Sequence, residues 1–322
     1  MTRLPATLAV LGLAALASLM LAVAVGSVPL TPAQVWAGLW GEGPPLHTTL
    51  VQELRLPRAL AAFATGGLLA VAGALMQVLL RNPLADPYVL GLSGGAAVGA
   101  LLAMLAGLGL ALVSGAAFIG ALASTLIVFG LAHGTGSWTP TRLLLTGVVV
   151  AAGWGATINF ILAISPSQEL PGMLFWLMGD LSHARSPWPA LAVLFTATLC
   201  AWPLGRSLNV LARGSLQAAA LGVRVRGLEW TVYLAASLLT ATAVTVAGSI
   251  GFIGLVVPHM LRLVLGNDQR VILPASALAG GALLTLADTL ARTAIAPEQL
   301  PVGVITALLG VPLFLYLLHR SR

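Results

Sequence analysis

The strongest constraint on this chain is the absence of charge from long apolar runs. Residues 4–28, 59–80, 110–132, 143–164, 230–247 and 302–318 contain no Asp, Glu, Lys or Arg. Runs of about 20 such residues match the hydrocarbon thickness of a bilayer. No water is present there to bond a free backbone N–H or C=O, so each run must satisfy itself as a helix. Only 7% of residues are charged, against about 25% in soluble domains. The expected fold is an all-α integral membrane protein. No stretch is polar enough for an independent soluble domain, so residues 1–322 are expected to form one transmembrane bundle.

Taken in order, the sequence predicts ten crossings. The run 4–28 exceeds the apolar core of about 7–15 residues in a signal peptide and reads as a retained first span. Residues 29–57 carry Trp36, Trp40 and several prolines, suited to a membrane interface. Spans at 59–80, 88–106, 110–132 and 143–164 follow, with polar turns at 81–87 and 133–142. Within 88–106, Gly91, Gly95 and Gly99 recur every four residues and line a face that another helix backbone can approach closely. Residues 165–187 mix turn residues with a short amphipathic piece at 173–178, an interfacial helix rather than a span. Spans at 188–202 and 230–247 flank a polar stretch. The segment 248–266 is interrupted by glycines, Pro258, His259 and Arg262 and reads as a short or broken helix. Spans at 271–290 and 302–318 complete the set.

The basic residues are fifteen arginines, with no lysine. A phosphate-binding P-loop requires its lysine, so this chain houses no ATP site of that kind. With the amino terminus inside, Arg3, Arg81, Arg142, Arg206, Arg213, Arg224, Arg226, Arg262, Arg270, Arg320 and Arg322 are cytoplasmic. Only Arg55, Arg58, Arg185 and Arg292 then fall outside. The positive-inside rule favours that orientation, with both termini cytoplasmic. The net charge of +6 thus belongs to inner loops and implies no nucleic-acid partner. A single Cys200 excludes an internal disulfide and reads as packing. The five histidines are scattered, none at zinc-ligand spacing, and no catalytic constellation is visible, so the chain is expected to be no enzyme itself.

The largest inner stretch is 206–229, RSLNVLARGSLQAAALGVRVRGLE, with four arginines and one acid. Leu208, Leu211, Leu216, Ala219 and Ala220 make a partial helical face. Gly214 and Gly222 divide the stretch, predicting two small helices rather than one rod. It is either a solvated connector or the place where a soluble partner grips. At the other end, Arg55, Arg58 and Arg292 depart from the charge rule. They either snorkel at the interface, with Asp288 and Arg292 paired at i,i+4, or form a basic set that docks an acidic surface. Asp288 is the one intramembrane carboxylate of the kind an ion-driven transporter uses. Thr65, Gln77, Thr146, Asn159, Thr240, Thr242 and Thr245 are neutral and read as helix–helix hydrogen-bonding groups more readily than as substrate contacts. His259 reads as a structural hydrogen-bonding residue.

Several runs together resemble one family: RLPR (55–58), GALMQVLLRNPLADPYVLGLSGGAAVG (73–99), TRLLLTGV (141–148), AGSIGFIGLVVPHMLRLVLGNDQRVILPASALAGG (247–281) and PEQLPVGVITALLGVPLFLYLL (297–318). The chain resembles the FecCD/BtuC-type permeases, membrane subunits of bacterial ABC importers for ferric siderophores, haem and cobalamin. The resemblance covers nearly the whole chain and is weakest at 165–205. It implies a type II importer fold in the inner membrane: a homodimer of ten-helix subunits, two cytoplasmic ATPases that carry ATP and Mg, and one periplasmic binding protein. The permease itself would bind no cofactor or metal. The resemblance assigns ATPase coupling to Ser215, Leu216, Gln217, Ala220, Leu221, Gly222, Val223, Arg224 and Arg226. It assigns Arg55, Arg58 and Arg292 to salt bridges with the binding protein, and Asn82, Leu84, Pro140 and Thr141 to the cytoplasmic gates.

One departure stands out. The family commonly reads ALGE before the coupling helix, and this chain reads ARGS, placing Arg213 and Ser215 at the Leu and Glu positions. Serine can itself cap a helix. The leading expectation is an ATP-driven importer of a metal chelate, ferric siderophore first and corrinoid or haem close behind. A self-contained secondary transporter with a regulatory loop is the alternative, and an intramembrane enzyme a distant third.

Overall fold

The computed structural model describes residues 3–133, 139–184 and 186–320. Arg185, Arg322 and the middle of the turn expected at 133–142 lie outside the described residues. The chain is all helical among the described residues. Helix α1 (Arg3–Ala24) is followed by α2 (Pro32–Trp40) and α3 (Pro45–Thr49). A π-helical turn at Leu50–Arg55 runs directly into α4 (Leu56–Leu79). Then come α5 (Leu92–Leu105), α6 (Leu110–His133), α7 (Pro140–Ile164), α8 (Leu170–Met178) and α9 (Trp188–Ala201). The polar stretch folds as α10 (Gly205–Leu211) and α11 (Ser215–Ala220). Helices α12 (Val225–Ala247), α13 (Ile253–Leu265), α14 (Gln269–Ala291) and α15 (Val302–Arg320) complete the chain.

Six helical segments are long and apolar enough to cross a membrane. Helices α9 and α10 form a further candidate span bent by 71°, and α5, α13 and α15 are shorter apolar helices. They coincide in position with the ten segments the sequence predicts as crossings, of which six, or seven with the bent pair, are long and apolar enough to span. The interfacial stretch 29–57 proved largely helical and continuous with span two. The stretch 206–229 is two short helices plus the first turn of α12, not a loop throughout.

Helix α4 is the centre, buried along nearly all its length and packed by α14, α12, α13, α9 and α1. Its sequence explains this, because Ala and Gly let backbones touch where larger side chains would hold helices apart. A Cβ built on Gly66 would lie 2.2 Å from the Gly280 carbonyl oxygen of α14, and one on Gly73 would lie 1.8 Å from that of Gly254 on α13. The glycines singled out in the sequence, Gly95 and Gly99, do the same for α5 against α6, at 2.4 Å from Gly120 O and 2.3 Å from Ala116 O. Gly91 sits at φ 70° and caps the 3₁₀ turn at Pro87–Leu90. That glycine face is therefore occupied within the chain.

Helix α13 covers about 20 Å at 1.5 Å per residue, short of the ~30 Å apolar core. It is continuous through Pro258, which cannot donate to the Gly254 carbonyl. The Gln77 amide supplies the missing donor, 3.5 Å from Gly254 O and 3.2 Å from Leu255 O. Three threonines read as interhelical groups bond inside their own helix instead: Thr240, Thr242 and Thr245 donate to the carbonyl four residues back. The His259 ring makes an edge contact with Phe314, centroids 6.5 Å apart, and has no side-chain hydrogen bond among the described residues. Cys200 is exposed on α9 rather than packed in the core.

Gly73→Ala should destabilise the detergent-purified protein by about 1–3 kcal/mol through overpacking. Gly115→Ala, where nothing lies within 4 Å of the new Cβ, should be neutral or slightly stabilising. Paired thermal unfolding curves check both.

Candidate functional site

At the arginine-poor end, the three singled-out arginines converge, but inward. Arg55 closes the π-helical turn and is 5% exposed. Its guanidinium donates to Val23 O at 3.1 Å, to Ala24 O at 2.9 Å and to Val28 O. Those are carbonyls at and beyond the end of α1, which no later turn of helix satisfies. Arg292, the C-terminal cap of α14, is 6% exposed and donates to Ala22 O. Arg58 grips Asp288 through Nε, at 3.1 and 3.0 Å from its two carboxylate oxygens, and through a terminal nitrogen at 2.8 Å. Its other terminal nitrogen donates to Gln299 Oε1 at 2.7 Å. The expected i,i+4 contact between Asp288 and Arg292 is present at 3.5 Å, weaker in geometry than the two-point Arg58 contact.

Two of the three cations, Arg58 and Arg292, thus share one carboxylate, while Arg55 bonds only carbonyls. All three line a recess of about 200 Å³ with Val28, Leu50, Leu54, Ser182 and Gln299. The arrangement is neither a snorkelling set nor an exposed pad. It is a recessed basic socket whose excess positive charge faces a small opening. The Arg58–Asp288 partnership went unread in the sequence, although an acid in an apolar span needs a cation nearby.

At the arginine-rich end, α11 stands out from the bundle. Leu216 and Leu221 are 87% and 71% exposed, while Ala218 is buried and anchors the helix. Gly214 and Gly222, at φ 138° and 80°, make the two turns. Gln217, Ala220, Arg224 and Arg226 are exposed, and Val223 is half-buried against the core. Ser215 is the first helical residue, after Gly214 at the cap, and no side chain caps the helix. The serine therefore does not replace a lost acidic cap.

Beside α11, α10 is tied to the turn between α13 and α14. Asn209 donates to Asp268 at 2.9 Å and accepts from the Gln269 backbone N–H at 2.7 Å. Asp268 also caps α14 and pairs with Arg270 at 2.7 Å. The Arg270 guanidinium, aided by Asn209 and the Arg270 backbone N–H, holds the Asp268 carboxyl down at about 2. A carboxylate with a depressed value supports the fold above its unfolded value near 4 and stops doing so as pH falls toward 2. The tie therefore persists at every physiological pH.

Asn82 lines a cavity of about 660 Å³ at this end, and its side chain accepts from the Leu84 N–H at 2.9 Å. Leu84 is exposed. Pro140 begins α7 under a Thr139 cap, and Thr141 is exposed. Neither Pro140 nor Thr141 lines that cavity, so the four candidate gate residues do not meet within one chain.

Asp288→Ala should cost about 3–5 kcal/mol, because it leaves two buried cations without their counter-charge. Arg58→Met with Asp288→Leu should recover much of that loss. Thermal unfolding of the single and double variants measures both.

Comparison with known proteins agrees with this fold. The FecCD transport family matches residues 13–320. The hemin transport system permease protein HmuU of Yersinia pestis is 46% identical over 279 residues, 84% of this chain and 83% of that protein. The vitamin B12 import system permease protein BtuC of Vibrio cholerae is 40% identical over 302 residues, 92% of this chain and 89% of that one. A solved structure described as an inward-facing conformation of a metal-chelate type ABC transporter superposes with a TM-score of 0.87 at 28% identity, covering 98% of this chain and 99% of that one. The chain belongs to the FecCD transport family, as a membrane permease of the ABC transporter type.

Proposed function

We propose that this chain is the permease of an ATP-driven importer that carries a bulky metal chelate inward across the bacterial inner membrane. The observation that carries the reading is the pair of unlike ends on one apolar bundle. One end presents exposed leucines on a short protruding helix flanked by arginines. The other presents a recessed basic socket.

The first end suits a partner with an apolar groove and an acidic rim, here a cytoplasmic ATPase that supplies ATP and Mg and seats residues 215–226. Two ATPases would serve a homodimer of this chain, with both termini on the ATPase side. The second end suits a binding protein with acidic lobes. Arg55 and Arg292 spend donors on the end of α1, so docking there would strengthen a pre-built socket rather than recruit free side chains.

An ion-driven mechanism finds less support. Asp288 was its candidate carboxylate, and a two-point contact with Arg58 neutralises it. Two relatives are named for hemin and vitamin B12, which favours haem or a corrinoid over the ferric siderophore expected from the sequence. All three are large chelates, for which a pathway of apolar and neutral walls is suited.

Leu216→Glu with Leu221→Glu should abolish co-purification of the cognate ATPase while leaving the permease folded, since both side chains are already solvent-exposed. Unchanged co-purification and unchanged uptake would overturn the coupling assignment. Uptake of labelled haem, cobalamin and ferric siderophore by vesicles holding the complete system assigns the substrate, with haem or cobalamin expected.

A further inference from the structure

The 660 Å³ cavity at the arginine-rich end has a chemistry that coupling does not use. Its wall holds Arg81, Arg213 and Arg262. The one carboxylate among the lining residues, Asp268, is already held by Arg270 and Asn209. Glu229 lies within electrostatic range of Arg81, which leaves Arg213 and Arg262 without a counter-charge. Arg213 is exposed, and its guanidinium makes no hydrogen bond or ion pair among the described residues. Arg262 is fixed by donating to Gln77 Oε1 and to Ala74 O at 3.1 Å, and its guanidinium retains further donors.

Arg81 adds an independent observation. It occupies the left-handed position after α4, at φ 49°. The Asn82 N–H bonds Gln77 O at 3.1 Å and the Arg81 N–H bonds Val78 O at 3.3 Å, the helix-ending motif that ordinarily takes glycine. An arginine held where glycine fits better is backbone strain beside a cavity, a pattern that clusters at functional sites. Gln269, 2% exposed, also lines the wall, and its Oε1 accepts no hydrogen bond.

Trp202, exposed at the bend between α9 and α10, donates its indole N–H to Arg270 O at 3.2 Å, beside Gln269 of the cavity wall, and tryptophan favours the depth of lipid head groups. Next along α13 from Arg262, Leu263 and Val264 are apolar and exposed. We propose that this cavity binds the phosphate of an anionic phospholipid head group, through Arg213, Arg262 and Arg81. A hydroxyl on the head group suits the unused Gln269 acceptor. Basic pockets between spanning helices take such lipids elsewhere. The proposal does not depend on the transported substrate.

The test uses the purified full-length permease, delipidated in mild detergent. Melting temperature and lipid retention in native mass spectrometry are measured against phosphatidylglycerol, phosphatidylcholine and free glycerol 1-phosphate. Phosphatidylglycerol should stabilise and be retained, and phosphatidylcholine should not. Arg213→Ala should weaken the response about tenfold, the loss of one charge-assisted contact. Arg81→Gly should weaken it similarly while leaving the lipid-free melting temperature equal or higher, because glycine suits the left-handed backbone. A purely structural Arg81 would lower that temperature. Equal protection by glycerol 1-phosphate would assign the site to a soluble phosphate ester. Equal retention of both lipids, or variants that respond like the parent, would overturn the proposal. Protection by a polyglutamate peptide and none by phosphatidylglycerol would also overturn it, in favour of an acidic protein segment.

Discussion

The architecture depends on how closely other backbones approach α4. In a bilayer, apolar side chains gain nothing from leaving lipid, so helix association rests on packing and on small residues. Gly66 and Gly280 bring α4 and α14 into backbone contact, and Gly73 does the same with Gly254 on α13. These contacts fix the outer ends of α4 and α14 side by side, which lets Arg58 reach Asp288 across 230 positions of sequence. They also bring Gln77 onto the Gly254 carbonyl that Pro258 leaves unpaired. The basic socket at one end and the short helix α13 near the other therefore share one cause.

Much of this was legible from residues alone. Charge-free runs located the spans, and the two glycines at 214 and 222 correctly divided the inner stretch into two short helices. The family resemblance agrees with the match over residues 13–320. The glycine face at Gly95 and Gly99 was readable because its four-residue spacing is local. The Gly66–Gly280 and Gly73–Gly254 contacts were not, since each half is an ordinary small residue until its distant partner is known. The same limit applied to the arginines. Their departure from the charge rule marked them, but only three-dimensional proximity shows that Arg55 and Arg292 cap α1. Serine at 215 could have been a cap on sequence grounds. Its place one residue inside the helix excludes that.

The two ends bear differently on function. The socket is held by buried donors and is preorganised, while α11 is anchored by Ala218 alone and offers its leucines outward. A rigid recess opposite a small protruding helix fits the proposed reading of a bundle pushed from one side and addressed from the other. Asn209 and Asp268 connect that helix's base to α14, and α14 ends at Arg292 in the socket. A single helix thus joins both working ends.

The central claim is that ATP hydrolysis by a partner, not an ion gradient, drives transport through this chain. The most direct test is chelate uptake by vesicles containing the permease, its ATPase and its binding protein, with vanadate in one arm and a protonophore in the other. The account predicts uptake that vanadate stops and a protonophore leaves intact. Uptake that survives vanadate and collapses with the protonophore would contradict it.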